Sequence, residues 1–569
     1  MYILGVWDGH DAGAALLDLD EGRIICAVNE ERLSRRKLEV GFPVRSISAC
    51  LAEAGISAAD VQEVAVPTSD VAKTLTRVFP SLKERYYLLR RRKVLPGRLA
   101  GFQKTTKYLL TQWRPNRVSR AVSRWMLARE LSRLGLEKAR LKLVPHHEAH
   151  ASSAAFTSGW DTALVVTLDG IGDGLSGSIW ELRDGCLKLL SEIDGRDSLG
   201  VFFEHVTNLL NMRELEDEGK VMALASYACP LDNGHNPLSD LFQSKGLQLR
   251  CRLGSLGLRS HLARQMSIVP SEQFAWMAQS LLEENVVRLV SEAARYTGLR
   301  RLAYAGGVAS NIKANMYVRE LPELDEVHVF PHMGDGGIAL GAALSAARKQ
   351  RPEGFDLGDL CLGPRVSEEE IESALQSSGL SYQKVPHIER ELARRLDRGD
   401  VGLWFQGKME YGPRALGARS ILTRPDRPEI RDRLNLRLKR RVWYQPFCPS
   451  ILDEDAGRLL EHGETRLDRY MTMAYRVRPE ARSLLAAVTG PDGTCRPQIV
   501  GPDGGRYRRL LEEFKKLSGV GAVLNTSFNL HGEPIVASPN DAIRTLRSSG
   551  ADVMVMGDYL VTLQNGGGR

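Results

Sequence analysis

A strand, an acidic turn with glycine and a returning strand occur twice in this 569-residue chain, about 160 residues apart. In the first copy Tyr2–Trp7 reads as a buried strand, Asp8 and Gly9 begin the turn, and residues 14–19 form the returning strand, followed by a third strand at Arg23–Asn29. In the second copy a strand at 163–168 leads into DGIGDG and the returning strand SGSIWEL. This repetition predicts a duplicated α/β domain with a cleft between its halves, although an unrelated pair of hairpins would give a similar pattern.

The chain is too long for one compact domain. An amphipathic helix at 271–299, strands at Arg301–Ala305 and 327–330, and a helix after MGDGG continue the first domain. The pattern then breaks in RPEGFDLGD, and further strands are expected at 401–405, 522–525 and 553–555. We therefore predict a first domain over residues 1–352 and a second α/β domain over residues 358–569.

Composition excludes several protein classes. No run of about 18 uncharged apolar residues is present, and the N-terminus lacks the pattern of a signal peptide, so no membrane span is expected. The eight cysteines form no CxxC pair, which disfavours a zinc ribbon or a disulfide framework and favours the reducing cytoplasm. A net charge of +7 suits small anionic substrates and gives no argument for nucleic acid.

A basic helical stretch over residues 82–141 interrupts the first domain. It contains LLRRRK and RPNRVSRAVSRWMLARELSR. A solvated helical insertion explains this composition. A patch that recruits an anionic partner or a membrane surface explains it as well, and the sequence does not decide between the two.

The segment HHEAH places His146 and His150 four residues apart, on one face of a predicted helix, where their rings can share a metal. It is not HExxH, so a metalloprotease is disfavoured. Asp335, at the turn MGDGG, is the candidate third ligand, and such a set of two histidines and one carboxylate suits iron or zinc. Spacing alone leaves open that these histidines bind nothing.

Glycine turns at strand ends indicate a nucleotide cleft in the first domain, because glycine lets backbone amides approach phosphate oxygens. None matches the P-loop or GxGxxG pattern. The predicted nucleotide-binding residues are Asp169, Gly170, Gly172, Gly306, Gly307 and Asn311.

The second domain concentrates cations and small polar side chains, which together predict an oxyanion-binding pocket. Surface arginines in salt bridges are the alternative. The residues concerned are Arg414, Arg419, Lys439, Arg496, Asn525, Thr526, Ser527 and Asn529.

These segments together resemble the NodU/CmcH family of O-carbamoyltransferases. The resemblance is carried by HDAGAAL, NEERLSRRK, HHEAHASSA, AGGVASN, GDGGIALGAA, GPRALGARSIL and NTSFNLHGEPIV, in this order over both domains. It implies an actin-like ATPase fold for the first domain and a YrdC-like fold for the second. It also implies that carbamoyl phosphate and Mg-ATP give carbamoyl-adenylate and pyrophosphate in the second domain. Transfer to an acceptor hydroxyl, with release of AMP, would follow in the first.

Residue by residue, the resemblance assigns three sets of roles. His146, His150 and Asp335 match metal ligands, with iron as the metal of the best-known members. Asp8, His10 and Lys37 match residues that line the acceptor and carbamoyl site, and His10 would accept the hydroxyl proton. The phosphate-binding positions of the second domain are matched by Arg414, Arg419 and Lys439, and Arg496 and Ser527 are expected to join them.

Two departures from the family pattern affect the transfer of roles. Gln445 stands where the family often has arginine, so one phosphate contact is missing or supplied elsewhere. The insertion at 82–141 is longer than in the antibiotic-modifying members, so the acceptor cannot be inherited from them. A sugar or natural product of secondary metabolism, including antibiotics, would fit, and a homodimer is possible.

Three other functions remain open from the sequence. A sugar kinase of the actin-like superfamily would form ADP and would not need the cations of the second domain. A non-catalytic nucleotide-binding regulator, or a nucleic-acid-associated protein that uses the basic helices, would show no turnover, and its binding would weaken steeply with salt. A role in tRNA modification is disfavoured by the GPRALGARSIL block, which is typical of the small-molecule carbamoyltransferases.

Overall fold

The computed structural model describes residues 1–92, 106, 108–229, 236–465 and 467–563. The chain divides into a first unit, Met1–Glu30 with Leu38–Leu357, and a second unit, Glu31–Lys37 with Gly358–Arg569. The assignment of Glu31–Lys37 to the second unit is not indicated by any sequence pattern. Within the predicted insertion at 82–141, residues 93–105 and 107 lie outside the described part of the chain.

The first half of the first unit is built on a five-stranded sheet. Its strands are β1 (Tyr2–Trp7), β2 (Gly13–Asp18), β3 (Arg23–Asn29), β4 (Val61–Pro67) and β5 (Arg140–Val144). They lie in the order β3-β2-β1-β4-β5, with β1, β2 and β3 antiparallel and with β4 and β5 parallel to β1. Before the second half begins, the chain also forms the helices α1 (Glu30–Ser34), α2 (Val44–Ala54), α3 (Val71–Val78), α4 (Pro80–Arg90), α5 (Arg117–Ser132) and α6 (His146–Ala155).

The second half repeats this topology. Its sheet contains β6 (Thr162–Gly172), β7 (Leu175–Arg183), β8 (Cys186–Asp194), β11 (Arg301–Ala305) and β12 (Glu326–Val329), and a separate hairpin contains β9 (Phe242–Lys245) and β10 (Gln248–Cys251). The order β8-β7-β6-β11-β12 again places three antiparallel strands beside two parallel ones. The repeated order confirms the duplicated α/β domain that the two strand-turn-strand units predicted.

The helices of this second half complete the first unit. They are α7 (Leu199–Leu209), α8 (Glu218–Ala225), α9 (Ser255–Met266), α10 (Ser271–Thr297), α11 (Ile312–Arg319) and α12 (Ile338–Ala347). Among the described helices, none is long and apolar enough to cross a lipid bilayer.

Close packing around α12 fixes the helix that carries the histidines. Gly341 of α12 faces the carbonyl of Ala149 in α6, and Gly5 of β1 faces the carbonyl of Ala339. A Cβ atom at either glycine would overlap these carbonyls, so only glycine permits the approach. Because α12 begins just after Asp335, this packing holds Asp335 beside α6.

The second unit is a separate α/β structure around an eight-stranded mixed sheet, ordered β13-β22-β21-β14-β15-β20-β16-β19. Buried side chains of α14 and α17, among them Leu392 and Phe514, share a core with Trp404 of β14. Its strands are β13 (Ser381–Lys384), β14 (Gly402–Phe405), β15 (Arg419–Thr423), β16 (Cys448–Leu452), β17 (Tyr475–Arg476), β18 (Thr494–Cys495), β19 (Gln498–Val500), β20 (Ala522–Ser527), β21 (Val553–Met556) and β22 (Tyr559–Thr562). Its helices are α13 (Glu368–Ser378), α14 (Ile388–Arg398), α15 (Pro428–Arg433), α16 (Asp453–Leu459), α17 (Gly505–Ser518) and α18 (Pro539–Ser549).

Candidate functional site

Four side chains of the first unit converge on one point. His146 and His150 project from α6, Asp169 lies in β6, and Asp335 begins the turn before α12. One nitrogen or oxygen atom from each lies within 4.8 Å of the others. His146 Nε2 is 3.2 Å from Asp169 Oδ2, and His150 Nε2 is 3.4 Å from Asp335 Oδ1. The structure thus brings together the three predicted ligands and adds Asp169, which the sequence had placed only in a nucleotide turn.

The chemistry of this cluster fits a divalent transition metal. Both ring nitrogens of His150, and Asp335 Oδ1, are buried without a hydrogen bond of proper geometry among the described residues. Burial alone would lower the pKa of His150, but Asp169 and Asp335 raise it to about 9. Two imidazoles and two carboxylates form a donor set that iron or zinc accepts, and two negative charges balance a dication.

A second layer of hydrogen bonds orients His146. Its Nδ1 lies 2.8 Å from Thr68 Oγ1, and its backbone N–H donates to Asp173 Oδ2 at 2.9 Å. When Nδ1 carries the proton and donates to Thr68, the lone pair on Nε2 points to the cluster. Such outer partners fix the tautomer and orientation of metal-binding histidines.

Gly172 borders this cluster closely enough to allow a sharp test. A Cβ atom at Gly172 would overlap the His146 ring, whereas at Gly170 the nearest atom would be Glu204 Oε1 at 3.7 Å. We expect Gly172→Ala to displace His146 and to lower the metal content of the purified protein by about half or more, since a misplaced ligand weakens binding roughly 10-fold or more. Elemental analysis after dialysis measures this. Gly170→Ala is the matched control, and equal metal content in the two variants would contradict the placement of His146.

A cavity of about 430 Å³ opens beside the cluster. Its lining includes five of the six predicted nucleotide-binding residues: Asp169, Gly170, Gly172, Gly307 and Asn311. The sixth, Gly306, is outside the lining and has a positive φ of 101°, where a side chain would overlap the Leu168 carbonyl. The N–H of Gly307 donates to Asp169 Oδ1 at 2.6 Å, so one carboxylate links the glycine turn to the metal cluster.

His10 lines this cavity, and its Nδ1 lies 3.5 Å from Asp335 Oδ2. Asp8 is placed differently, because its buried carboxylate pairs with Lys73 at 2.8 Å and with Arg77 at 2.8 Å. Burial would raise the pKa of the Asp8 carboxyl, but Arg77 and Lys73 hold it well below its usual range. Asp8 is therefore connected to the cavity through Lys73, which lines it and whose Nζ lies 3.8 Å from the ring centre of Trp7.

Part of the predicted insertion forms a wall of the same cavity. Lys83, Tyr86, Tyr87 and Arg90 of α4 line it, and the Tyr87 ring lies 5.1 Å from the ring of His10. Lys83 Nζ donates to the backbone carbonyl of Asp8. No sequence motif marked Lys73, Lys83, Tyr86 or Tyr87, because only the packing of α3 and α4 brings them to the cavity.

Lys37 is not among the residues of this cavity. It belongs to the segment that groups with the second unit, where burial lowers the pKa of Lys439 well below its usual range and the charges of Arg441 and Lys37 lower it further. The role that the resemblance gave to Lys37 remains a prediction.

The second unit carries a cluster of cations around Cys448. Arg496 donates to Cys448 Sγ from Nε at 3.2 Å and from Nη2 at 3.0 Å. Burial and Arg496 lower the pKa of Arg414 to about 9, and burial lowers that of Arg441 to about 10. In the described part of the chain, Arg414, Arg441 and Arg496 form no ion pair with a carboxylate. Cations held together without a counter-ion indicate a site for a polyanion.

Lys439 and the predicted polar residues of β20 lie in the same unit. Lys439 Nζ donates to the Ser527 carbonyl and to Asn529 Oδ1, the latter at 2.9 Å. Asn525 is 1% exposed and its amide donates to Ser450 Oγ at 2.9 Å and to the Ala415 carbonyl at 3.1 Å. Ser527 thus directly contacts a cation, whereas Asn525 connects neighbouring segments.

Arg419 has a different environment from the other arginines. It is wholly buried, and its guanidinium lies 3.6 Å from the ring centre of Phe405. It donates to the backbone carbonyls of Gln406, Gly407 and Ala418. A cation that is buried and bonded in this way holds the backbone, so this placement argues against the predicted contact with phosphate.

Arg419→Ala is therefore expected to impair folding rather than substrate binding. Removing the guanidinium takes the side-chain donor from the carbonyls of Gln406 and Gly407 and leaves a cavity beside the Phe405 ring, at a cost of about 3 kcal/mol. Thermal unfolding should show the second unit melting several degrees lower. Direct binding of ATP below that temperature should stay within about threefold of the unchanged protein; a loss of ATP affinity with unchanged melting would restore the phosphate-binding role.

Comparison with known proteins identifies both halves of the chain. Residues 2–344 match the family model described as Carbamoyltransferase N-terminus, and residues 393–563 match Carbamoyltransferase C-terminus. The nodulation protein NolNO of Sinorhizobium fredii is 33% identical over 97% of this chain and 79% of its own length. A 3'-hydroxymethylcephem-O-carbamoyltransferase of Amycolatopsis lactamdurans is 35% identical over 50% of this chain and 53% of its own.

Among solved structures, HypF from T. kodakarensis is similar over 63% of this chain and 48% of the HypF chain, with 13% sequence identity and a TM-score of 0.36.

Proposed function

The chain belongs to the carbamoyltransferase family, and we propose that it is an ATP-dependent O-carbamoyltransferase with two separate chemical centres. The second unit would make carbamoyl-adenylate from carbamoyl phosphate and Mg-ATP. The first unit would transfer the carbamoyl group to an acceptor hydroxyl and release AMP. A relative whose name is that of an O-carbamoyltransferase supports the transfer to oxygen.

The cation cluster of the second unit is the observation that carries the first step. Arg414, Arg441 and Arg496 would hold the phosphates of ATP and carbamoyl phosphate and offset charge on the attacked phosphorus. Water must first split carbamoyl phosphate into carbamate and phosphate, because the carbamate oxygen has to reach the α-phosphorus of ATP. Pyrophosphate then leaves as carbamate attacks. Arg441 was not among the residues predicted from the sequence. Its guanidinium would supply the positive charge that the side chain of Gln445 lacks.

The cavity of the first unit would host the second step. His146, His150, Asp169 and Asp335 would hold the metal, iron or zinc, and when bound it supplies a positive charge that stabilises an oxyanion. His10, which lines this cavity, would accept the proton of the acceptor hydroxyl. The glycine turns at Gly170 and Gly307 would receive the adenylate.

The wall formed by α4 would select the acceptor. Tyr86 and Tyr87 offer aromatic faces, and Lys73 and Arg90 offer charge beside the cluster. Aromatic faces with polar neighbours suit a sugar or a glycosylated natural product. Carbamoyl phosphate and ATP are cytoplasmic metabolites, so we expect the reaction to take place there.

Product analysis tests this function without knowing the acceptor. The purified protein is incubated with ATP, carbamoyl phosphate, magnesium and either iron(II) or zinc, and the products are identified by mass spectrometry. Carbamoyl-adenylate and pyrophosphate are expected, and both should disappear when carbamoyl phosphate is omitted. Formation of ADP would favour a kinase, and the absence of any nucleotide product with either metal would favour a regulator; both outcomes would overturn the proposal.

A further inference from the structure

Helix α5 has one buried face and one fully exposed face. Its buried residues are Ser119, Ser123, Leu127 and Leu131. Ser119 and Ser123 contact Thr74 of α3, with Ser123 Oγ 2.8 Å from Thr74 Oγ1. Small hydroxyl side chains at this contact let the two helices approach. These contacts fix the orientation of α5 and so determine which of its residues lie on the outer face.

The outer face carries large apolar side chains in the direction opposite to the contact with α3. At 100° per residue, Val118 and Trp125 lie one above the other, seven residues apart, with Ala121 between them. Val118 is 71% exposed and Trp125 is 62% exposed. The aligned valine and tryptophan expose apolar surface to water on the outermost side of the helix. Exposed apolar surface of this kind is typical of interaction sites.

Three arginines border or continue this apolar line. Arg117 and Arg124 lie about 80–120° to one side of it, and Arg129 continues it towards the C-terminus of the helix, whereas Arg120 is turned about 160° away from Val118; all four are exposed. Within the described part of the chain, Arg117, Arg120 and Arg129 form no ion pair, and Arg124 donates to the Leu141 carbonyl at 2.9 Å. Against the four arginines the helix has one acidic residue, Glu130, which pairs with Arg133.

We propose that this face of α5 docks on an anionic lipid surface. Arginines along the edge of an apolar stripe match negatively charged headgroups, while valine and tryptophan enter the boundary with the acyl chains. Nucleic acid would be matched by charge alone and would leave Val118 and Trp125 exposed, so the apolar line favours lipid. The protein would then lie on a membrane surface without spanning it. This inference is independent of the proposed reaction.

Vesicle binding by the full-length protein tests the proposal. Co-sedimentation is measured with vesicles of phosphatidylcholine alone and of an equal mixture with phosphatidylglycerol, at about 0.1 M and about 0.5 M NaCl. Binding is expected only to the anionic vesicles, and it should weaken at high salt. Val118→Ser with Trp125→Ser should reduce binding about 10-fold or more. Arg117→Gln with Arg129→Gln should reduce it by about fivefold for each arginine.

Matched controls come from another exposed surface. Ile268→Ser removes a side chain that is 74% exposed, and Arg264→Gln removes an exposed arginine, both at the end of α9. These variants should bind vesicles like the unchanged protein. The proposal is overturned if the controls lose binding equally, if the α5 variants retain it, or if the unchanged protein binds neither vesicle. It is also overturned if a DNA duplex competes fully with the vesicles, or if light scattering shows that α5 instead joins two copies of the chain.

Discussion

His150→Ala is expected to abolish carbamoyl transfer while leaving adenylate formation intact. The side chain of His150 is 1% exposed, and among the described residues its ring nitrogens approach Asp169 and Asp335 but make no well-formed hydrogen bond. Its removal therefore takes one ligand from the cluster and disturbs little else. Pyrophosphate release should stay near the unchanged rate, whereas release of AMP with glycerol as a surrogate acceptor should fall about 100-fold or more. The purified variant should also lose most of its metal.

The neighbouring histidine provides the control for this experiment. His147 is equally buried, but its Nδ1 lies 2.8 Å from Thr167 Oγ1 and its Nε2 lies 3.1 Å from the Leu175 carbonyl, outside the cluster. His147→Gln should lower the melting temperature and keep the metal and the release of AMP. If His150→Ala kept its metal, or if His147→Gln lost as much, the assignment of the cluster would be wrong.

Arg414→Ala is expected to have the opposite effect. The side chain lies beside Arg496 and has no carboxylate partner within the part of the chain that the structure describes, so its charge is available to phosphate. Loss of one guanidinium that stabilises transferring phosphate should slow pyrophosphate release about 100- to 1,000-fold. The metal content of the first unit should not change. Both quantities can be measured on the same preparation, by a coupled pyrophosphate assay and by elemental analysis.

Arg458→Ala serves as the comparison for Arg414. Arg458 belongs to the same unit and is exposed, and its one hydrogen bond among the described residues is donated to the Gly519 carbonyl at 3.2 Å. Its loss should leave pyrophosphate release unchanged. Equal slowing in both variants would mean that the general positive charge of the second unit matters, and that Arg414 has no specific contact with phosphate.

The fold could be read from the sequence wherever local pattern and burial coincide. The strands Tyr2–Trp7, Arg23–Asn29 and Arg301–Ala305 have the predicted bounds, and the helix predicted at 271–299 spans Ser271–Thr297. Buried strands bounded by glycine or acidic turns are specified by their own residues. The duplication followed from two such units, and the sheet order, which depends on non-local pairing, came only from the structure.

The site was predictable in part for the same reason. His146 and His150 could be paired because their spacing within one helix fixes their geometry. Asp169 could not be joined to them, since its distance from His146 depends on how β6 packs against α6. Lys73 and Arg441 carried no motif at all. Arg419 was misleading in the opposite way, because its place in GPRALGARSIL gives no sign that its guanidinium faces the Phe405 ring.

The division of chemistry between two centres is tested most directly by isotope exchange. Exchange of labelled pyrophosphate into ATP, dependent on carbamoyl phosphate, reports formation of the adenylate alone and needs no acceptor. It is measured side by side in the unchanged protein, His150→Ala and Arg414→Ala. We predict exchange at an undiminished rate in His150→Ala and none above background in Arg414→Ala. Equal loss of exchange in the two variants would contradict the account, because it would place both half-reactions at one centre.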